Sequence, residues 1–425
     1  MGKIILGIVA DDFSGGSDAA SFLVKQGIKT FLYNGIPELH EQKMEDNVAV
    51  VIALKTRTAE KQKAVDESMK AFQWLRDHGA EQLYAKYCST FDSTKEGNIG
   101  PIIDEVLETY GIKYTIIAPA LPINGRIVKN GQLIVNGVPL HETHMKHHPL
   151  TPMWDSDLAR LLEPQGKYPS IKLNYESLER SKEEIMEMMD EFGKDKKHFY
   201  VIPDYMEEKH AQKIVELFGD LPFLTGGSGL MGELGKKYKK DNDQTNIITS
   251  GTSGKAIILA GSCSAATLRQ IEEFINSGGK AIKIEPLQLL SGKLSKEDLW
   301  KEIQILQEEK ILIYSSDRPE KVKEAQEAGM EKVSAILEST TAYIAKKAVE
   351  NGFFRVIVAG GETSGAVTRI LGYNAYYVGD SIAPGVPIMV PVENKKVRLV
   401  LKSGNFGDKD FFIKAVEMTR GDING

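Results

Sequence analysis

Cysteine is almost missing from this chain. Cys88 and Cys263 are the only two among 425 residues, and they lie far apart. No disulfide framework is expected, and a reducing cytoplasm fits the composition. Long apolar runs are also missing, so no stretch is long enough to span a membrane. The opening MGKIILGIVADD has a short apolar run broken by aspartates and no small-residue cleavage site. It reads as a first strand and not as a signal peptide. Positive charge is not in excess. The net charge is −6, which speaks against nucleic acid as a partner. What is there is ordinary globular composition, 42% hydrophobic and 26% charged, in a chain long enough for two sizeable cores.

Apolar runs of strand length alternate with amphipathic segments of helix length. KIILGIVA, IKTFLYN, VAVVIAL, LYAKYCST and KYTIIAPAL read as strands. Between them, GGSDAASFLVKQG places Ala19, Ala20, Phe22 and Leu23 on one helical face and ends at Gly27 as a C-cap. Residues 60–78 and IGPIIDEVLETYG read as further helices. The polar stretch from Lys236 to Lys255 reads as a linker. After it the alternation restarts, with strands AIILAG, KAIKIEP, KILIYSS and RVIVAGG and a long helix from about 319 to 350. The expected fold is α/β with two domains, 1–245 and 246–425, each a mainly parallel sheet flanked by helices. Ligands in such sheets sit beyond the carboxyl ends of the strands.

Polar motifs gather at those ends. ADDFSGGSD follows the first strand, and Asp11 and Asp12 stand side by side there. A single aspartate there would serve as a helix cap. Two adjacent carboxylates repel unless a cation or hydroxyl donor neutralises them. LKTRT offers Lys55 and Arg57. KYCSTFDST offers Lys86, Ser89, Thr90, Asp92 and Ser93. PALPINGR offers Asn124 and Arg126. Cations for a carboxylate, amides and hydroxyls for sugar hydroxyls, and aspartates as acceptors or bases would together suit a small acidic polyol. The histidines of HETHMKHHP, His141, His144, His147 and His148, have a spacing that allows a metal site. No HExxH pattern flanks them and Pro149 interrupts a helix, so His141, His144 and His147 read as surface residues.

Three glycine- and hydroxyl-rich turns follow strands in the second half: AGSCSAAT (Ala260–Thr267), AGGETSGA (Ala359–Ala366) and KSGNFG (Lys402–Gly407). Glycine admits close approach and positive φ, and free N–H groups at a helix start favour phosphate. Positive φ is expected at Gly361. None of the three matches GxxxxGK[ST], and none is GxGxxG followed by an acidic ribose ligand. Nucleotide binding without a Walker lysine is the reading, with Thr363 and Ser364 as hydroxyl donors and a divalent metal supplying charge.

Taken together, ADDFSGGSD, the Lys86–Gly100 segment, NGRIVKNGQLIVNGVPL, HHPLTPM, GGSGL, AGSCSAAT, GGETSGAV, PGVP and KSGNFG resemble the four-carbon acid sugar kinase family, in order and over nearly the whole chain. The segment HHPLTPM (His147–Met153) is most similar to members acting on 3-oxo-tetronates. One departure is the first motif, where the family usually reads Thr-Gly-Ala. Here Ser14 keeps the hydroxyl and Gly16 loses a methyl. The resemblance implies an N-terminal acid-sugar domain, a C-terminal nucleotide domain and an active site in the interdomain cleft. It implies ATP and Mg²⁺ as cofactors and phosphorylation of the C4 hydroxyl. It places acid-sugar contacts on Asp11, Asp12, Arg57, Lys86, Ser89, Asp92 and Arg126. Nucleotide contacts fall on Ser262, Gly360, Gly361, Glu362, Thr363, Ser403, Gly404 and Asn405.

On this reading Arg57, Lys86 or Arg126 holds the substrate carboxylate. Asp12 is the catalytic base, with Asp92 in reserve, and His148 donates to a C3 ketone. No residue is assigned as a metal ligand. A D-threonate or D-erythronate kinase, an NAD(P)-dependent sugar-acid reductase and a non-catalytic sugar-acid sensor are the alternatives. Partners are the acid sugar and ATP, with neither nucleic acid nor membrane. The sequence leaves a homodimer open.

Overall fold

The computed structural model describes residues 3–38, 46–147, 150–239, 249–317, 324, 327 and 329–421. His148 lies outside these residues, as do the side chain of His147 and most of the segment between 318 and 328. The chain divides into two compact units, Met1–Thr245 and Asn246–Gly425.

In the first unit, IILGIVA is apolar or small at every position and buried throughout as strand β1 (Ile4–Ala10). Such unbroken apolar strands belong inside parallel sheets covered on both faces. Strands β2 (Thr30–Asn34), β3 (Val48–Ala53), β4 (Leu83–Lys86) and β11 (Phe223–Gly226) complete the sheet in the order β11-β4-β1-β3-β2, all parallel. Helix α1 (Phe13–Lys25) crosses from β1 to β2, and its face Ala19, Ala20 and Leu23 is buried while Phe22 is half-buried. Its cap falls on Gln26. Gly27 follows with φ 85°, its N–H on the Val24 carbonyl and that of Ile28 on Leu23. This is the Schellman closure, which puts glycine one place beyond the cap. Helices α2 (Lys61–Asp77) and α3 (Ile99–Tyr110) pack on each other.

A second parallel sheet, order β5-β10-β9, joins β5 (Tyr114–Ile116), β10 (Phe199–Pro203) and β9 (Ser170–Leu173). An antiparallel meander, β6 (Arg126–Lys129), β7 (Gln132–Val135) and β8 (Val138–Pro139), turns at Asn130-Gly131 and Asn136-Gly137, all four at positive φ. Asn-Gly pairs of this kind set type I′ hairpins. Sequence periodicity did not reveal this meander because its strands are too short.

The second unit has the strand order β16-β17-β18-β15-β12-β14-β13. Here β12 is Ala256–Ala260, β13 Lys280–Lys283, β14 Lys310–Tyr314, β15 Arg355–Ala359, β16 Ala375–Ala383, β17 Val386–Pro391 and β18 Arg398–Lys402. The five strands from β18 to β13 run parallel, and β17 is antiparallel to both its neighbours. The helix after β12, here α4 (Ala265–Asn276), and α7 (Phe411–Met418) cover one face, burying Phe274, Phe411 and Phe412 against Ile258, Ile357 and Val400. Helices α5 (Met330–Glu350) and α6 (Gly361–Leu371) pack together. Among the described residues no helix is long and apolar enough to cross a membrane.

Candidate active site

In the first unit the carboxyl ends of β1, β3 and β4 are tied together by their backbones. Asp11 N–H donates to the Lys86 carbonyl (3.0 Å), and Thr56 N–H donates to the Asp11 carbonyl (3.1 Å). This register delivers Asp11, Arg57 and Lys86 to one place. Arg57 Nε donates to Asp11 Oδ2 (2.8 Å) and Nη2 to Asp11 Oδ1 (2.9 Å). The same Nη2 lies 2.9 Å from Asp12 Oδ2, and Nη1 lies 4.0 Å from Asp92 Oδ2. Burial opposes the Arg57 charge, but Asp11 and Asp12 outweigh it and hold the guanidinium more firmly protonated than usual. Burial also pushes the Asp11 carboxyl up, against the pull of Arg57. One guanidinium therefore serves three aspartates, which answers how Asp11 and Asp12 stand side by side.

Asp12 has a second task. Its Oδ1 accepts the Gly15 N–H at 2.5 Å, so it is the N-cap of α1. The capping and ion-pairing readings of this aspartate hold together. Lys86 is buried, and its Nζ donates to the Tyr87 carbonyl (3.0 Å). A Cβ on Gly15 would stand 2.9 Å from this Nζ and 2.6 Å from Asp12 Oδ1. Glycine at that position lets the lysine and aspartate close on the helix start.

Asp92 accepts the Thr90 hydroxyl at 2.6 Å. Between them Phe91 is fully buried with φ 51°, a rare conformation for an aromatic residue. Its ring meets Tyr87 edge-on at 5.5 Å. Backbone strain of this kind persists where the surroundings over-determine it. Ser89 is half-buried in the same turn, Ser93 reaches Gln165 at 3.2 Å, and Lys55 is exposed. Cys88 is an inert thiol, pushed up to about 11 by burial. Arg126 opens β6 and donates through Nη1 to the Asn124 carbonyl (2.5 Å); its Nε is buried without a partner among the described residues.

Two residues at this site were missed by sequence reading. Asp18 receives the Ser228 hydroxyl, and burial pushes its carboxyl up against the opposing charge of Lys86. Asn98 donates to the Thr56 (2.7 Å) and Ala59 (2.9 Å) carbonyls and so holds the loop that carries Arg57. Asp18 lies six residues beyond Asp12, nearly two turns on, a spacing that could have flagged it. His141 Nδ1 faces Ser156 Oγ at 2.8 Å, and no group of three or more His, Cys, Asp or Glu among the described residues is arranged to hold a metal.

In the second unit the three glycine turns pack on one another. Gly261 and Ser262 N–H groups donate to the Ala359 carbonyl (3.0 and 3.2 Å), and Gly360 N–H to that of Lys402 (3.0 Å). A Cβ on Gly261 would collide with the Thr363 hydroxyl, and one on Gly404 with that of Ser262. Positive φ falls on Gly360 (125°), the N-cap of α6, and not on Gly361 as expected. The cap must leave the strand sharply, whereas Gly361 is already helical. A Cβ on Gly361 would meet nothing within 4 Å. Thr363 is buried, Glu362 is exposed, and Ser364 Oγ is buried without a partner among the described residues. Ser403 and Asn405 are exposed on the third turn. Beside the turns lies a pocket of about 230 Å³ lined by Gly261, Cys263, Leu287, Val333, Leu337 and Thr363, among others. Its apolar wall was not legible in the sequence, because those residues read as helix core.

A GxGxxG spacing does occur, at Gly227-Ser-Gly229-Leu-Met-Gly232, between β11 and the helix Met231–Tyr238. Cβ atoms on Gly227 and Gly229 would strike the carbonyls of Pro119 and Ala120. Close backbone packing accounts for these glycines, which leaves a dinucleotide reading without support.

Two family models match the chain: a sugar-binding N-terminal domain over residues 6–234 and a nucleotide-binding C-terminal domain over 257–412. The chain belongs to the four-carbon acid sugar kinase family. It is 39% identical to a 3-oxo-tetronate kinase of Pseudomonas fluorescens, covering 98% of this chain and 97% of that one. A 3-oxo-tetronate kinase of Haemophilus influenzae is 38% identical over 96% of this chain and 98% of the relative. The crystal structure of a Haemophilus influenzae protein superposes with a TM-score of 0.85 at 38% identity, covering 97% of this chain and 99% of the other. A Salmonella typhimurium crystal structure gives a TM-score of 0.88 at 36% identity, over 98% and 99%.

Proposed function

We propose that this protein is an ATP-dependent kinase that phosphorylates the C4 hydroxyl of 3-oxo-tetronate. The observation that carries the proposal is end-to-end similarity to curated 3-oxo-tetronate kinases, at 38% identity or more over at least 96% of the chain in several relatives. The geometry supports it. The first unit offers a cluster of aspartates and cations at its strand ends, suited to an acidic sugar. The second offers packed glycine turns at its own strand ends, suited to phosphates.

In this reading the substrate carboxylate is held by Lys86 and Arg126, because the Arg57 fork is already turned onto Asp11. Arg57 instead pairs with Asp11 and Asp12. Asp12 is the more exposed of the candidate bases, its side chain 35% accessible against 9% for Asp92. It orients the C4 hydroxyl. The hydroxyl oxygen attacks the γ-phosphorus, the bond to the β–γ bridging oxygen breaks, and Asp12 accepts the proton late in the transfer. Ser262, Gly360, Gly361, Glu362, Thr363 and the Ser403–Asn405 turn hold the nucleotide. Among the described residues there is no preformed metal cluster, which fits Mg²⁺ that enters on the ATP phosphates and needs few protein ligands. Bound there, the ion would neutralise charge on the transferring phosphoryl group, with Glu362 as the acidic residue that the turns offer it.

The deciding experiment is a coupled assay of ADP release with 3-oxo-tetronate, D-threonate and D-erythronate. Turnover should be highest with 3-oxo-tetronate. Equal or faster turnover of the tetronates would reject the substrate, and activity with NAD(P)H instead of ATP would reject the reaction.

A further inference from the structure

The turns of the second unit have no Walker lysine, yet a lysine stands behind them. Lys402 ends β18, is 2% exposed, and makes no ion pair among the described residues. Its Nζ donates to Thr267 Oγ1 (3.0 Å), the Ser403 carbonyl (3.2 Å) and the Gly404 carbonyl (2.9 Å). Three acceptors match the three protons of an ammonium group; a neutral amine could satisfy only two. The Gly404 carbonyl also receives the hydroxyls of Ser264 (2.6 Å) and Thr267 (2.9 Å). All three donors hold it toward the protein. The peptides here are trans, so each inward carbonyl sends the next N–H the opposite way. The N–H groups of Gly404 and Asn405 therefore point away from Nζ, and neither meets a protein acceptor among the described residues.

We propose that Lys402 is a positioning residue and the fixed cation of the nucleotide site. It aims the Gly404 and Asn405 N–H groups at a phosphate, and its buried charge does from behind the turn what a Walker lysine does from in front. This rests on the nucleotide reading of the second unit. A buried ammonium with no carboxylate partner is stabilised when an anion arrives. Among the described residues the groups around it do not titrate: Ser264, which caps α4, Thr267 of α4, the Ser403 and Gly404 carbonyls, Ala359 and Gly360 of the neighbouring strand end, and the Phe411 ring, 5.7 Å away. Burial alone lowers its pKa to about 8. Nucleotide binding should raise that value, so binding takes up a proton in mildly alkaline solution. Affinity should be full below pH 8 and fall as pH rises past it.

The test is calorimetric titration of the full-length protein with ADP, in two buffers of different ionisation enthalpy at pH 8.5, and across pH 7.5–9.5. The wild type should take up a fraction of a proton and lose affinity several-fold across that range. Lys402→Met should bind ADP about 10- to 100-fold more weakly, as for loss of a charge-assisted contact, with no proton uptake. Wild-type-like affinity in a folded Lys402→Met protein overturns the proposal. So do a flat pH profile and absent proton uptake in the wild type, and these decide the matter alone if the variant does not fold. If the wild type binds no ADP at any pH, the nucleotide reading of this unit itself fails.

Discussion

Arg57 meets Asp11 through two parallel hydrogen bonds, Nε to Oδ2 at 2.8 Å and Nη2 to Oδ1 at 2.9 Å. The pair lies mostly out of solvent, with side chains 24% and 13% exposed. Removing one partner leaves the other charge buried and uncompensated. Arg57→Met should lower stability by about 3–5 kcal/mol, the usual cost of breaking such a pair. The double variant Arg57→Met/Asp11→Leu should recover part of that loss. Urea unfolding of the three proteins measures it; no greater loss in the single than in the double variant would show that the pair carries no such coupling.

Asp12→Asn separates the two tasks of Asp12. Asparagine keeps the oxygen that caps α1, so the protein should still fold, with the melting temperature lowered only by the lost pairing to Arg57. Loss of a positioned base should lower kcat by about two to four orders of magnitude. If kcat holds and only KM rises, the base lies elsewhere.

Gly361 and Gly360 should respond differently. Open space surrounds a Cβ on Gly361, so Gly361→Val should fold and lose ATP affinity by filling the room left for phosphate. Gly360 has φ 125°, so Gly360→Ala should cost stability, of order 1–3 kcal/mol. Differential scanning calorimetry with and without ATP separates the two. Normal ATP affinity in folded Gly361→Val would remove this turn from the site.

The two cysteines report on the nucleotide pocket. Burial holds the Cys88 thiol up to about 11, while Cys263 is exposed at the pocket rim. At pH 8 iodoacetamide should alkylate Cys263 and spare Cys88. ADP should slow that reaction. Peptide mass spectrometry showing no protection would place the nucleotide away from this pocket.

His148, outside the described residues, is the expected reader of the C3 ketone. His148→Asp replaces a donor by an acceptor. Preference for 3-oxo-tetronate over D-threonate should fall by one to two orders of magnitude in kcat/KM, from a hydrogen-bond mismatch of about 1–3 kcal/mol. An unchanged preference would clear His148 of this role.

Much of the architecture was legible because its signals are local. Apolar runs such as IILGIVA, turn glycines and the restart after residue 250 depend on near neighbours in the chain. The meander of Arg126–Pro139 was missed because strands of two to four residues carry too little periodicity, although its Asn-Gly pairs marked the turns. The strand ends were correctly singled out as the places where polar groups gather. Which groups pair there was not legible. Arg57 and Asp11 lie 46 residues apart and meet only through the register of β1 with β3. Lys402 opens the KSGNFG turn in the sequence, but nothing beside it there reveals that Thr267, 135 residues away, and Phe411 will close over it. Likewise Gly360 and Gly361 are interchangeable as letters, and only the angle at which α6 leaves β15 places the positive φ on the first. The sequence by itself determined the strands, the helices and the side-chain chemistry at each end. Tertiary structure decided which charges are neutralised and which are held in reserve, because burial and pairing depend on distances the chain sets only once its sheets have formed.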